Sequence, residues 1–134
     1  MSVLVDTSIL ISYERRGLSP QELLERLTEE AAVSALTVSE LLVGMHRADT
    51  DVQRTQRRTF VDQVLEIMDV LPFDLAVAET HAELWAGLAR RGELIGVVDG
   101  LIAATALAHG FAVLTMNIRE FAHVPNLEVR SPDW

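Results

Sequence analysis

Apolar residues along the chain fall into short continuous runs separated by longer stretches of helical spacing. Val3-Leu4-Val5, "AAVSAL" (31–36), "DVLPF" (69–73), "FAVLTMN" (111–117) and "LEVRS" (127–131) are short and apolar, and they read as strands, the last at a sheet edge. Between them, residues 8–16, "SPQELLERLTEEA" (19–31), "TVSELLVGMHRA" (37–48), "DVQRTQRRTFVDQVLEIM" (51–68), "DLAVAETHAELWAGLARRG" (74–92) and "VVDGLIAATALAHG" (97–110) carry helical spacing. Ser19 before Pro20 is an N-cap followed by proline at the first helical position, and Gly110 stops the last long helix. Alternating strands and helices predict an α/β fold: a three-layer α/β/α sandwich around a mainly parallel sheet, with residues 1–134 forming one domain. In such folds ligands gather beyond the carboxyl ends of the strands.

Composition narrows the chemistry. The 134 residues are 49% hydrophobic and 23% charged, which is globular, and no apolar run reaches the length of a membrane span. Cysteine is absent, so a disulfide framework, a thiolate zinc site and a cysteine nucleophile are all excluded. With no basic-then-apolar leader visible, a cytoplasmic location is expected. The net charge is −9, which argues against binding nucleic acid by bulk electrostatics. All eleven basic residues are arginine; without lysine, a G-x-x-x-x-G-K-[ST] phosphate loop and Schiff-base chemistry are excluded.

Three acids fall where the fold places ligands. Asp6 directly follows the first strand, Glu40 lies in the first turn of the helix after the second, and Asp99 opens an apolar helix. Each also has an ordinary explanation of about equal weight. Asp6 and Asp99 are placed to cap helices, and Thr37-Val-Ser-Glu40 matches a capping box. Their convergence would favour a cation, because carboxylates sharing one crevice repel unless neutralised or protonated. An all-oxygen ligand set suits magnesium, with manganese as a possible substitute. His46, His81, His109 and His123 lack the paired spacing of a zinc site. A carboxylate-held magnesium ion beside a phosphate points to hydrolysis of a phosphodiester by a metal-activated water.

At these residues the sequence resembles the PIN-domain ribonucleases, in particular the toxin of bacterial VapBC-type toxin–antitoxin pairs (VapC-like). The likeness rests on "VLVDTSILI", "SALTVSELLVG", "VVDGLIAATAL" and "VLTMNIREFAHVPNLEV", in that order across essentially the whole chain. It implies a PIN-like fold and a magnesium-dependent endoribonuclease. Asp6, Glu40 and Asp99 match the family's acidic positions as metal ligands or holders of metal-bound water. The fourth acidic position falls on Asn117, which contributes an amide and no charge, and this favours one ion over two. Glu120 could supply the charge missing at Asn117, but a surface role on the final helix turn is the expectation, and Ser8 and Thr115 are secondary candidates for hydrogen bonds within the site. The resemblance further implies an RNA substrate, a homodimer and a cognate VapB-like antitoxin that obstructs the site.

Arg54, Arg57 and Arg58, with Arg15, Arg16 and Arg47 behind them, are candidate RNA contacts, although helical charge runs are usually solvated faces. Arg90 and Arg91 are explained by the dipole of the helix they end. Met45, Phe60 and Trp85 are expected in the core ahead of any partner contact. Aspartyl-phosphate chemistry fits poorly, since Ser8 stands where a second aspartate is wanted and no lysine exists. The alternative of a different class is a catalytically silent PIN-like domain that binds RNA or a protein without cleavage; Asn117 is the feature in its favour.

Overall fold

A computed structural model describes residues 2–134. The strands are β1 (Ser2–Val5), β2 (Glu30–Ser34), β3 (Asp69–Leu71), β4 (Ala112–Leu114) and β5 (Val129–Arg130). The helices are α1 (Thr7–Arg15), α2 (Pro20–Arg26), α3 (Ala35–His46), α4 (Asp51–Ile67), α5 (Leu75–Arg91), α6 (Val97–His109) and α7 (Ile118–Phe121). Every strand pair is parallel, in the order β3-β2-β1-β4-β5. Parallel neighbours require crossovers, and the helices supply them.

The central strands are buried on both faces, so alternate side chains feed two separate cores. Val3 and Val5 of β1, with Ala112 and Leu114 of β4, pack against Ile9, Leu10 and Tyr13 of α1, Leu23 of α2, Leu41 of α3 and Phe60, Val61 and Val64 of α4. Leu4 and Val113 point the other way, onto Val77, Leu84 and Leu88 of α5, Ile102, Ala103 and Ala106 of α6 and Phe121 of α7. This is the expected α/β/α sandwich. Met45 and Phe60 are buried and Trp85 is partly buried, in line with core roles.

Several strand and helix boundaries differ from the sequence expectation, and two of them bear on the site. The helix begun at Ser19 stops at Arg26 instead of running to Ala31, because Leu27 turns extended and Glu30 to Ala32 pair with Ser2 to Leu4. Sheet pairing here outweighs local helical spacing. The next helix begins at Ala35, where the Ser34 hydroxyl accepts from the Leu36 amide. Among the described residues, no helix is long and apolar enough to cross a membrane.

The chain builds β1, β2 and β3 outward on one side, then returns to lay β4 and β5 on the other side of β1. Strand order therefore reverses between β1 and β4, and the crevice beyond their carboxyl ends is the natural ligand position.

Candidate active site

Asp6 and Thr115 are the residues that follow β1 and β4 at that reversal, and hydrogen bonds tie them together. The Asp6 carboxylate is only 2% exposed, and its Oδ2 accepts from the Ser8 hydroxyl at 2.6 Å and the Thr115 hydroxyl at 2.8 Å. The turn after β4 is locked in return: the Met116 amide donates to Ser8 Oγ at 3.0 Å, and the Asn117 amide to Thr115 Oγ1 at 2.9 Å. Ser8 and Thr115 are therefore part of the site. Asp6 occupies the N-cap position of α1, but its side chain makes no capping hydrogen bond. A buried carboxylate released from capping and held by two neutral hydroxyls still carries an unanswered charge.

Glu40 is also free of the capping role. Because α3 starts at Ala35, Glu40 lies in its second turn, and the Thr37 capping box does not form. Its Oε1 accepts from the Thr7 hydroxyl at 2.6 Å, while Thr7 Oγ1 lies 3.0 Å from Thr37 Oγ1. Thr7 and Thr37 are both buried, and they join the loop after β1 to α3. Sequence reading passed over Thr7 and gave Thr37 to the cap; a threonine beside Asp6 in a strand-to-helix turn was the available signal.

Asp99 stands in the first turn of α6, whose N-cap is Gly96, and no side chain caps that helix. Burial raises the Asp99 carboxyl first, and the negative fields of Asp6, Glu120 and Glu40 add to it, pushing its pKa up to about 6. Glu120, half-buried on the short helix α7, contributes to that field from the rim. Its Oε1 accepts from the Gly96 amide at 2.8 Å. Asn117 lies at the mouth, exposed and without a hydrogen bond to its amide side chain among the described residues. A cleft of about 520 Å³ opens here, lined by Asp99, Met116, Asn117, Ile118, Arg119 and Glu120.

Among the described residues, no ion pair joins Asp6, Glu40, Asp99 or Glu120 to an arginine or histidine. The side chains also stop short of a closed cage: no three acidic or histidine groups stand together as a ready-made ion-holding set. Asp6, Glu40 and Asp99 therefore share a field without yet surrounding one point. That arrangement fits magnesium, which keeps several of its waters and takes one or two carboxylates directly. Asp6 has an oxygen, Oδ1, to which no described residue donates, and Asp99 is poised to lose a proton to a dication.

Three of the candidate RNA-binding arginines, Arg54, Arg57 and Arg58, are engaged within the fold. Arg57 donates to the Gly44 carbonyl at 2.7 Å and lies 3.7 Å from Glu14, Arg54 pairs with Asp51, and Arg58 pairs with Asp62. Arg119 is the arginine that lines the acidic cleft.

Known proteins are similar to this chain over nearly its full length. Residues 3–127 match the PIN domain. The chain is 35% identical to ribonuclease VapC of Rickettsia bellii over 129 residues, covering 96% of this chain and 95% of that one. It is 30% identical to the tRNA(fMet)-specific endonuclease VapC of Salmonella typhimurium, with 86% of each chain covered. In three dimensions it is similar to VapBC2 of Rickettsia felis bound to a promoter DNA fragment, with a TM-score of 0.88, 26% identity and coverage of 99% and 100%.

Proposed function

The chain belongs to the PIN-domain family, and from that premise we propose that it is the ribonuclease toxin of a toxin–antitoxin pair, a magnesium-dependent endoribonuclease. The observation that carries the reading is that the negative fields of Asp6 and Glu40 both act on Asp99, with no arginine or histidine paired to any of the three among the described residues. When bound there, magnesium supplies an activated water and neutralises charge on the phosphate under attack.

The protein's own contribution is orientation. Ser8 and Thr115 hold Asp6 by one oxygen and leave the other without a donor among the described residues. Thr7 fixes Glu40, and burial keeps Asp99 more basic than an ordinary aspartate. Asp6, Asp99 and Glu40 are the residues to hold the ion, directly or through water, and Asn117 offers an amide at the mouth. Manganese has the same oxygen preference and serves as a substitute.

Similarity to VapC ribonucleases, and to solved VapBC complexes, supports an RNA substrate and a VapB-like antitoxin as partner. A homodimer, alone and within the toxin–antitoxin assembly, belongs to the same proposal. The test is cleavage of RNA by the purified chain freed of any partner, with magnesium, with chelator, and with magnesium restored. Cuts that vanish with chelator and return with the metal are expected. Calorimetric magnesium binding without any cut would favour a silent binding domain instead.

A further inference from the structure

We propose that Arg119 is a substrate-binding residue, taking a backbone phosphate of single-stranded RNA at the mouth of the acidic cleft, next to the phosphate that is cut. This contact presupposes the RNA substrate proposed above.

Arg54, Arg57, Arg58, Arg91 and Arg130 are committed to ion pairs within the fold. Arg119 makes no ion pair among the described residues, although Asp99 and Glu120 line the same cleft. The charges that set the Asp99 carboxyl are all negative, so the Arg119 guanidinium does not answer the acids beside it. Its backbone is nonetheless fixed. α7 is only four residues long, and full burial of Phe121 seats it in the core shared with α6. The Asn117 carbonyl accepts from the Glu120 amide at 3.2 Å and the Phe121 amide at 3.3 Å. The Asn117 amide donates to Thr115 Oγ1 at 2.9 Å, and the Thr115 hydroxyl donates to Asp6 Oδ2 at 2.8 Å. The turn carrying Arg119 is thereby tied to the carboxylate at the end of β1, while the arginine itself stays exposed. An unpaired, planar fork on a fixed backbone suits bidentate contact with a phosphate.

Apolar neighbours complete the match. Met116 is 54% exposed and Ile118 37%, and both line the cleft with Arg119. A cation for the phosphate beside an apolar surface for the base is the pattern by which single strands are held. Because the guanidinium is absent from the charges acting on Asp99, the phosphate it meets flanks the reacting one. Arg119 then serves binding more than the chemical step.

The competing account leaves Arg119 solvated, contributing net charge only, or facing a carboxylate of a protein partner. Single-turnover cleavage of one RNA that wild type cuts separates them, with the full chain in excess, free of partner and at saturating magnesium. The half-saturating protein concentration and the maximal rate are read across a range of salt for wild type, Arg119→Gln, Arg119→Lys and Arg90→Gln. The last makes an equal change of charge at the end of α5, and thermal melting checks each fold. Arg119→Gln is expected to raise half-saturation about tenfold, to leave the maximal rate nearly unchanged, and to reduce the salt slope by about one. Arg119→Lys should recover part of the loss, since the charge remains and the fork does not. Arg90→Gln should behave as wild type. Unchanged half-saturation and salt slope in folded Arg119→Gln overturn the assignment and leave the RNA reading standing. Equal losses in Arg119→Gln and Arg90→Gln overturn it too, by assigning the effect to net charge, and a loss confined to the maximal rate contradicts the flanking position. If wild type cuts no RNA, anisotropy of a fluorescent single-stranded RNA replaces the rate in the same comparison. Weaker binding by Arg119→Gln then supports the contact, and no binding by wild type overturns it together with the RNA reading. Should Arg119→Gln fail to fold, Arg119→Ala takes its place under the same criteria.

Discussion

The fold moves the ionisation of Asp99 well above the ordinary carboxylate range. Its carboxyl ionises at about 6 in the fold against an ordinary value of 3.8, through burial first and neighbouring acids second. Between those values the folded chain binds more proton at this position than the unfolded chain, so its stability falls as pH rises through the window. Below the window both states are protonated, and above it the whole penalty stands. The metal-free protein should therefore show a contribution from Asp99 that lowers its urea midpoint at about pH 7 relative to about pH 5. Asp99→Asn should remove that contribution, and an identical pH dependence in the variant would show that the penalty lies elsewhere. Added magnesium should raise the midpoint at the higher pH, because a dication favours the ionised form. Asp6, Ser8 and Thr115 were legible in the sequence because each sits at a strand end or one turn beyond it. Glu120 was legible only as a possible substitute for the acid missing at Asn117, since its position depends on a contact to Gly96 that is 24 positions away.

At the scale of elements, the first turn of α6 is set by how tightly α5 packs against it. A Cβ on Gly100 would come within 2.8 Å of Trp85 Cζ3 and 3.0 Å of its Cε3. The Trp85 ring is itself stacked on His81 at 5.7 Å between centroids, so it has little freedom to retreat. Gly100→Ala should cost about 1–3 kcal/mol of stability by overpacking and depress cleavage by moving the adjoining Asp99. Gly44 of α3, with no atom within 4 Å of its Cβ position, is the matched control. There alanine should be neutral or stabilising by up to about 1 kcal/mol. Equal urea midpoints for the two variants would contradict this account of the α5–α6 contact. The same contrast explains which helix ends could be read. Ser19, Pro20 and Glu22 form the capping box that the local sequence announces, and Gly110 closes α6 in the left-handed conformation that glycine accepts. The start of α3 was hidden because Ala35 and Leu36 prolong the apolar run of β2, and Thr37 to Glu40 imitate a cap. Only the contact of Glu40 with Thr7 reveals that the imitation is false.

For the whole molecule, parallel topology turns three distant acids into neighbours. Positions 6, 40 and 99 have no local relation; they come within electrostatic reach of one another because β1 is central, β2 and β4 flank it, and the chain reverses direction of growth between β1 and β4. That much follows from alternating strands and helices. What the pattern lacked was the final geometry of the side chains, which share a field without closing a cage. With net charge −9 and Arg54, Arg57 and Arg58 paired or bonded within the fold, little bulk attraction for RNA remains. On the proposed magnesium reading, productive contact with a phosphate depends on a cation at the acidic cleft. Single-turnover RNA cleavage at saturating magnesium, comparing wild type with Asp6→Asn, Asp99→Asn and the double variant, addresses that dependence directly. Losses of at least about 100-fold in each single variant, at melting temperatures close to wild type, are the predicted result. A folded double variant that cleaves RNA as fast as wild type would contradict it.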